Sequence, residues 1–212
     1  MNLDYARKVQ KIFSSQYFRV YSGSDVIGVE IGGAAKNIIA LAAGICHGLG
    51  YGDNTMAALV TRGLEEIIRL GIALGAQRST FSGLSGMGDL VVTAFSSYSR
   101  NRQVGERIGK GESLSDILSS MDMVAEGVET ARSIHGLTQN NKIEMPICEQ
   151  IYKVLFENIS PRQGILELMI CKTNRFPFGG GQFVFEHKIS QCPFCHRFRL
   201  STKFRIRGAH LI

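Results

Sequence analysis

The chain has no run of 18 uncharged apolar residues, the length a membrane-spanning helix needs, and its opening, "MNLDYARKVQKIF", lacks the apolar core of a signal peptide. These absences point to a soluble, cytoplasmic protein without membrane insertion. Disulfide-framework spacing is missing too: the 5 cysteines are odd in number, which predicts reduced thiols. "CPFCH" at 192–196 has no second CxxC and no signal peptide to go with it, so it reads as neither a zinc site nor a haem attachment, and no metal is expected. No internal repeat is visible. Excess charge is absent from most of the chain as well. Of 24 basic side chains eight fall in residues 171–212, against Glu186 alone of the 18 acidic ones, so residues 1–170 are close to neutral despite the overall +6. That body has no nucleic-acid signature. The last 42 residues are a basic, phenylalanine-rich tail that breaks from everything before it.

What is present is helical periodicity. "LDYARKVQKIF" reads as a helix, followed by a short extended piece, "YFRVYSG", too small for a sheet of its own. From Asp25 onward "GVEIGGAAKNIIALAAGICHG" (28–48) is apolar on nearly every face and ends near Gly48 to Gly52; Asp53 or Asn54 then caps "TMAALVTRGLEEIIRLGIALG". Shorter helices are predicted at about 86–96, 99–109, 113–120, 126–139, 146–156 and 161–169, with Ser113 or Ser115 as a cap and Pro146 and Pro161 in first turns. The body is therefore all-α. The expected organisation is 1–24 as an edge fragment, 25–170 as the helical domain and 171–212 as a tail that does not pack with it.

Two stretches carry the chemistry. In the first, Gly28, Gly32, Lys36, Ala40, Gly44 and Gly48 fall four residues apart, forming one ridge of small side chains interrupted by a lysine. Small residues admit a second helix or a ligand close to the backbone. A lysine there is either a desolvated group able to give and take a proton near neutral pH, or one whose stem covers apolar surface while its ammonium reaches water. In the second, "GLSGMGDLVVTAFSSYSRNRQVGERIGKG" (83–111), the glycine-rich loop is not a dinucleotide fingerprint, having no clear strand before it. Asp89 and Thr93 share a helix face, and Arg100 and Asn101 open the next helix, where free backbone N–H groups and a guanidinium suit a phosphate. Asp89 as a simple cap and Arg100 as a solvated charge is the alternative. Cys46, His47 and His135 read as structural.

These two stretches, followed by "VAEGVETA", closely resemble the C-terminal substrate-binding domain of the bacterial type of NAD(P)-dependent glycerol-3-phosphate dehydrogenase, over roughly residues 2–169. The resemblance implies a helical domain of the 6-phosphogluconate dehydrogenase C-terminal type and an oxidoreductase that interconverts sn-glycerol 3-phosphate and dihydroxyacetone phosphate, feeding glycerophospholipid synthesis. It makes Lys36 the general acid/base, Asp89 its partner, and Asn37, Thr93, Ser99, Arg100 and Asn101 substrate contacts. Arg100, Val124 and Glu126 are implied to touch the NAD(P) cofactor, and a homodimer is compatible with it. Residues 1–24 resemble only the last helix and strand of the family's Rossmann domain, so the cofactor is expected to bind mainly to a domain absent from this chain, leaving the isolated chain inactive. Three other classes compete. A non-catalytic helical module would use the small-residue ridge for oligomerisation, an anion or nucleic-acid binder would work through the tail, and a Schiff-base enzyme would use Lys36 as its nucleophile.

Overall fold

The computed structural model describes residues 3–121 and 125–170, and all regular structure among them is helical. In chain order the helices are α1 (Leu3–Phe13), α2 (Val26–Gly48), α3 (Asp53–Ala73), α4 (Asp89–Phe95), α5 (Arg100–Gly109), α6 (Leu114–Ser119), α7 (Glu126–Asn141), α8 (Pro146–Phe156) and α9 (Pro161–Ile170). The tail from 171, with its "CPFCH", lies outside the described residues.

α2 is the central helix because its sequence has no polar face to give to solvent along its second half. Every residue from Ile38 to Cys46 is buried, and α3, α4, α5, α7 and α8 pack around it. By length and composition alone α2 could cross a bilayer, but half of its apolar window is taken up by protein. Asp25 starts it. One carboxylate oxygen accepts from Gly28 N at 2.9 Å, and the other accepts from Gln77 N at 2.9 Å and from the Thr80 hydroxyl at 2.6 Å. These donors hold the Asp25 carboxyl below the usual carboxylate range, the Thr80 hydroxyl most strongly.

The ridge of small residues is used inside the molecule. α5 carries its own pair, Gly105 and Gly109, and crosses α2 so closely that a β-carbon at Gly44 would overlap the Arg102 carbonyl oxygen. A β-carbon at Gly105 would likewise overlap the Leu41 carbonyl oxygen, and Gly48 and Gly109 face each other in the same way. Nearer the start of α2, Gly32 lies against the Ser85 carbonyl oxygen, 2.7 Å from where a β-carbon would sit. The ridge is therefore filled by this chain's own α5 and by the loop before α4, which corrects the alternative that it mediates oligomerisation.

Boundaries differ from the sequence reading at two places, and one open choice of cap is resolved. α3 begins at Asp53 itself, with Gly52 at the cap position and no side-chain cap bond, because extended Gly52 already delivers the chain into the first turn. The helix expected from about 86 is split: a 3-10 turn (Arg78–Ser82) and a π turn (Leu84–Gly88) precede α4. Buried Gly86 sits directly on the Phe81 backbone, an approach only glycine permits, and this bends the chain before Asp89. Ser113 is the cap of α6, accepting from Asp116 N at 3.2 Å, whereas Ser115 only pairs with the Ser113 hydroxyl at 2.9 Å. The piece "YFRVYSG" forms no strand. It is held locally by Ser15, whose hydroxyl accepts from Tyr17 N and Phe18 N, and by Gln10, whose Nε2 donates to the Val20 carbonyl at 2.8 Å.

One buried charge organises the far side of the core. α8 has Met145 at its cap position and Pro146 at its first turn, so it has no capping side chain of its own. Glu66 of α3, 3% exposed, supplies the cap from across the core, accepting from Ile147 N at 2.8 Å and Cys148 N at 3.2 Å. Burial pushes its pKa up from 4.5 to about 7, against the opposing pull of those N–H groups and of Arg69 and Arg62. The unfolded chain thus releases this proton near 4.5 while the folded chain keeps it to about 7. Glu66 contributes full stability below the lower value and loses it as pH rises through the window. Urea denaturation of the wild type is expected to show stability falling by about 3 kcal/mol between those pH limits. In Glu66→Gln, which caps without titrating, that slope should disappear; identical pH profiles would rule this account out.

Candidate active site

The site is built where the middle of α2 meets the start of α4. Lys36 projects from α2, and the bend at Gly86 sets Asp89 opposite it as the first residue of α4. Lys36 Nζ donates directly to Asp89 Oδ2. One turn along α4, the Thr93 hydroxyl donates to the Asp89 carbonyl at 2.6 Å and reaches Asp89 Oδ1 at 3.3 Å. The carboxylate is thereby held from both sides, one oxygen on the ammonium and the other beside a hydroxyl. Lys36 keeps 19% of its side-chain surface and Asp89 38%, so the pair is partly exposed rather than sealed in the core. Asp89 does not cap α4, whose cap position is Gly88 with no side-chain bond; its carboxylate is spent on Lys36 instead.

A second group of polar residues lies at the start of α5. Ser99 is the N-cap, its hydroxyl accepting from Arg102 N at 3.3 Å. Arg100 Nη2 contacts Glu126 Oε1 at 3.0 Å, joining the first residue of α5 to the first residue of α7 on an exposed surface. Next to it Asn101 turns inward, 5% exposed, and its Oδ1 accepts from Gly127 N at 2.9 Å. α2 connects the two groups: the carbonyl oxygen of Asn37, which follows Lys36, and the Leu41 side chain both flank Gly127. The Asn37 amide is half-buried, with Nδ2 at 3.5 Å from the Gly33 carbonyl oxygen. The fold thus brings Lys36, Asp89 and Thr93 together, and Arg100, Asn101 and Glu126 together. Val124 lies outside the described residues.

Several side chains take structural positions. His135 stacks on Tyr152 at 3.7 Å between ring centroids, and His47 contacts Glu106 at 3.2 Å. Cys46 is buried, and burial raises its thiol to about 11. Among the described residues no group of three or more His, Cys, Asp or Glu side chains could hold a metal ion. Sequence reasoning missed Glu66, although a signal exists: Leu59, Gly63, Glu66 and Leu70 follow one helical ridge, and a carboxylate among apolar neighbours on that ridge needs a partner.

Residues 25–166 match the model of the NAD-dependent glycerol-3-phosphate dehydrogenase C-terminus. The chain belongs to this family. A glycerol-3-phosphate dehydrogenase [NAD(P)+] from Citrifermentans bemidjiense is 60% identical over 164 residues, covering 77% of this chain and 49% of that protein. The corresponding protein of Lactococcus lactis subsp. cremoris is 55% identical over 170 residues, covering 80% of this chain and 50% of the relative. Among solved structures, glycerol-3-phosphate dehydrogenase from Coxiella burnetii matches with a TM-score of 0.77 at 39% identity, over 79% of this chain and 52% of that one. The chain spans about half the length of the curated relatives it matches. As to an NAD(P) cofactor, the described residues contain no strand on which a dinucleotide fold could be built, so the fit is partial: Arg100 and Glu126 offer one polar, exposed edge.

Proposed function

We propose that this chain is the substrate-binding and proton-transferring half of a glycerol-3-phosphate dehydrogenase interconverting sn-glycerol 3-phosphate and dihydroxyacetone phosphate. The observation that carries this reading is the Lys36–Asp89 pair, oriented by Thr93 and open to solvent. Lys36 donates a proton to the ketone oxygen of dihydroxyacetone phosphate in one direction and accepts the proton of the secondary hydroxyl in the other. Asp89 keeps Nζ aimed at that oxygen, and Thr93 and Asn37 line the approach. Arg100, at the start of α5 with Ser99 and Asn101, takes the phosphate, exchanging its bond to Glu126 for a doubly charged ligand. The nicotinamide cofactor supplies the hydride when bound, and Arg100, Val124 and Glu126 form this chain's contribution to holding it.

In this reading residues 1–24 close the dinucleotide-binding domain, 25–170 form the substrate domain and 171–212 are a separate tail. The protein is cytoplasmic, forms a homodimer, feeds glycerophospholipid synthesis, and neither binds nucleic acid nor enters a membrane. The test is to join the N-terminal half of the Citrifermentans bemidjiense relative ahead of residue 1 and follow NADH oxidation with dihydroxyacetone phosphate. The fusion should turn over and the 212-residue chain alone should not. Arg100→Ala in the fusion is expected to raise KM for dihydroxyacetone phosphate by about 10-fold or more, the size of a lost charge-assisted bond already made in the ground state. An Arg100→Ala enzyme with unchanged KM would remove the phosphate from α5, and an inactive fusion that is folded would count against the whole reading.

A further inference from the structure

α7 begins without a cap of its own. Its N-cap position is Ala125, which has no side-chain acceptor, so the N–H groups of its first turn need an acceptor from elsewhere. That acceptor comes from another helix. Asn101 of α5, 5% exposed, places its Oδ1 at 2.9 Å from Gly127 N, the second residue of α7, where an N-cap oxygen ordinarily sits. The junction is too tight for any residue but glycine: a β-carbon at Gly127 would lie 2.7 Å from Asn101 Oδ1 and 2.9 Å from the Asn37 carbonyl oxygen. The neighbouring pair, Arg100 with Glu126 at 3.0 Å, spans the same two helix starts one residue earlier. Two adjacent residues of α5 therefore grip two adjacent residues of α7, one pair buried and neutral, the other exposed and charged. The exposed pair faces solvent, whereas the buried one has its acceptor committed.

We propose that Asn101 is a positioning residue that caps α7 in trans and so fixes Glu126 beside Arg100. With Oδ1 committed to Gly127, the carboxamide has its orientation set, and the first turn of α7 is anchored to the helix that carries Arg100. When a ligand anion takes Arg100 from Glu126, α7 stays in register because the Asn101–Gly127 bond does not depend on charge. The functional consequence rests on the reading of Glu126 as a cofactor contact; the capping itself does not.

Two measurements separate these layers. In the 212-residue chain, amide hydrogen exchange at Gly127 is expected to speed up by about 10-fold in Asn101→Ala, the size of a lost N-cap, with the second half of α7 unaffected. Asn101→Asp, which keeps an acceptor oxygen, should restore protection. Unchanged exchange at Gly127 in Asn101→Ala, or an Asp variant as unprotected as the Ala variant, would overturn the trans cap. In the fusion enzyme, Asn101→Ala should raise KM for NADH several-fold while kcat changes less, Asn101→Asp should recover it, and adding Asn101→Ala to Glu126→Ala should cost nothing further. Full additivity of the two substitutions would overturn positioning through Glu126. A fusion whose NADH KM ignores Glu126→Ala would instead refute the cofactor contact, leaving the exchange result to decide the cap.

Discussion

Replacing Lys36 with alanine in the fusion enzyme is expected to lower kcat by about 10²–10⁴-fold, while KM for dihydroxyacetone phosphate moves by no more than about 3-fold. The asymmetry follows from where the proton is. The ketone oxygen carries little charge in the bound substrate and becomes an alkoxide only as hydride arrives, so a positioned ammonium acts on the transition state far more than on the ground state. The protein should tolerate the change. Lys36 keeps 19% of its side chain exposed, and the Asp89 carboxylate left behind, 38% exposed, remains hydrated. Asp89→Asn should give a smaller loss, because the lysine survives without the carboxylate that aims it. Steady-state kinetics with circular dichroism as the folding control decides the matter. A folded Lys36→Ala enzyme with wild-type kcat would remove the proposed proton donor.

Gly44→Leu is expected to destabilise the domain by about 3 kcal/mol or more, a large fraction of a typical domain's stability. The atoms it would meet are the carbonyl of Arg102 and the amide of Glu106, both backbone within α5, so no side chain can turn aside to make room. Relief would require α5 to move off α2. That movement would expose Leu41 and Ile45 on one helix and Val104 and Ile108 on the other, all buried in the native packing. A matched control isolates the contact from helix propensity. Gly136, on the outer face of α7, has no heavy atom within 4 Å of a β-carbon, so Gly136→Ala should stabilise by about 0.5–1 kcal/mol. Urea midpoints of the two variants should therefore shift in opposite directions. A Gly44→Leu protein as stable as wild type would mean that the α2–α5 crossing is looser than described.

The helices, and the polar residues that make up the candidate site, were legible because both leave local marks. Apolar period, first-turn prolines and the Ser113 cap predict helix positions to within a few residues, since each depends on neighbours three or four positions away. Lys36 stood out for a related reason: a charge on a ridge of glycine and alanine is a local contradiction that a partner must resolve. That Asp89 is this partner came from the resemblance. Sequence spacing alone left Asp89 as a cap, because the 53 positions separating the two residues carry no periodic signal.

Short-range patterning settles the all-α class, the apolar character of α2 and the short menu of polar residues able to do chemistry. How those residues are spent depends on the packed fold. Ala125 and Met145 announce two helices that cannot cap themselves, but nothing in the chain's order says that Asn101 caps one and Glu66 the other. The packed fold also decided that Gly44 and Gly48 of α2 receive α5, and that the Lys36–Asp89 pair is partly exposed instead of sealed in the core. The physical reason is the same in each case. Helix formation and apolar patterning are short-range properties of the chain, whereas a hydrogen bond between helix ends, or a backbone-to-backbone crossing, depends on distances that exist only once the whole core has packed.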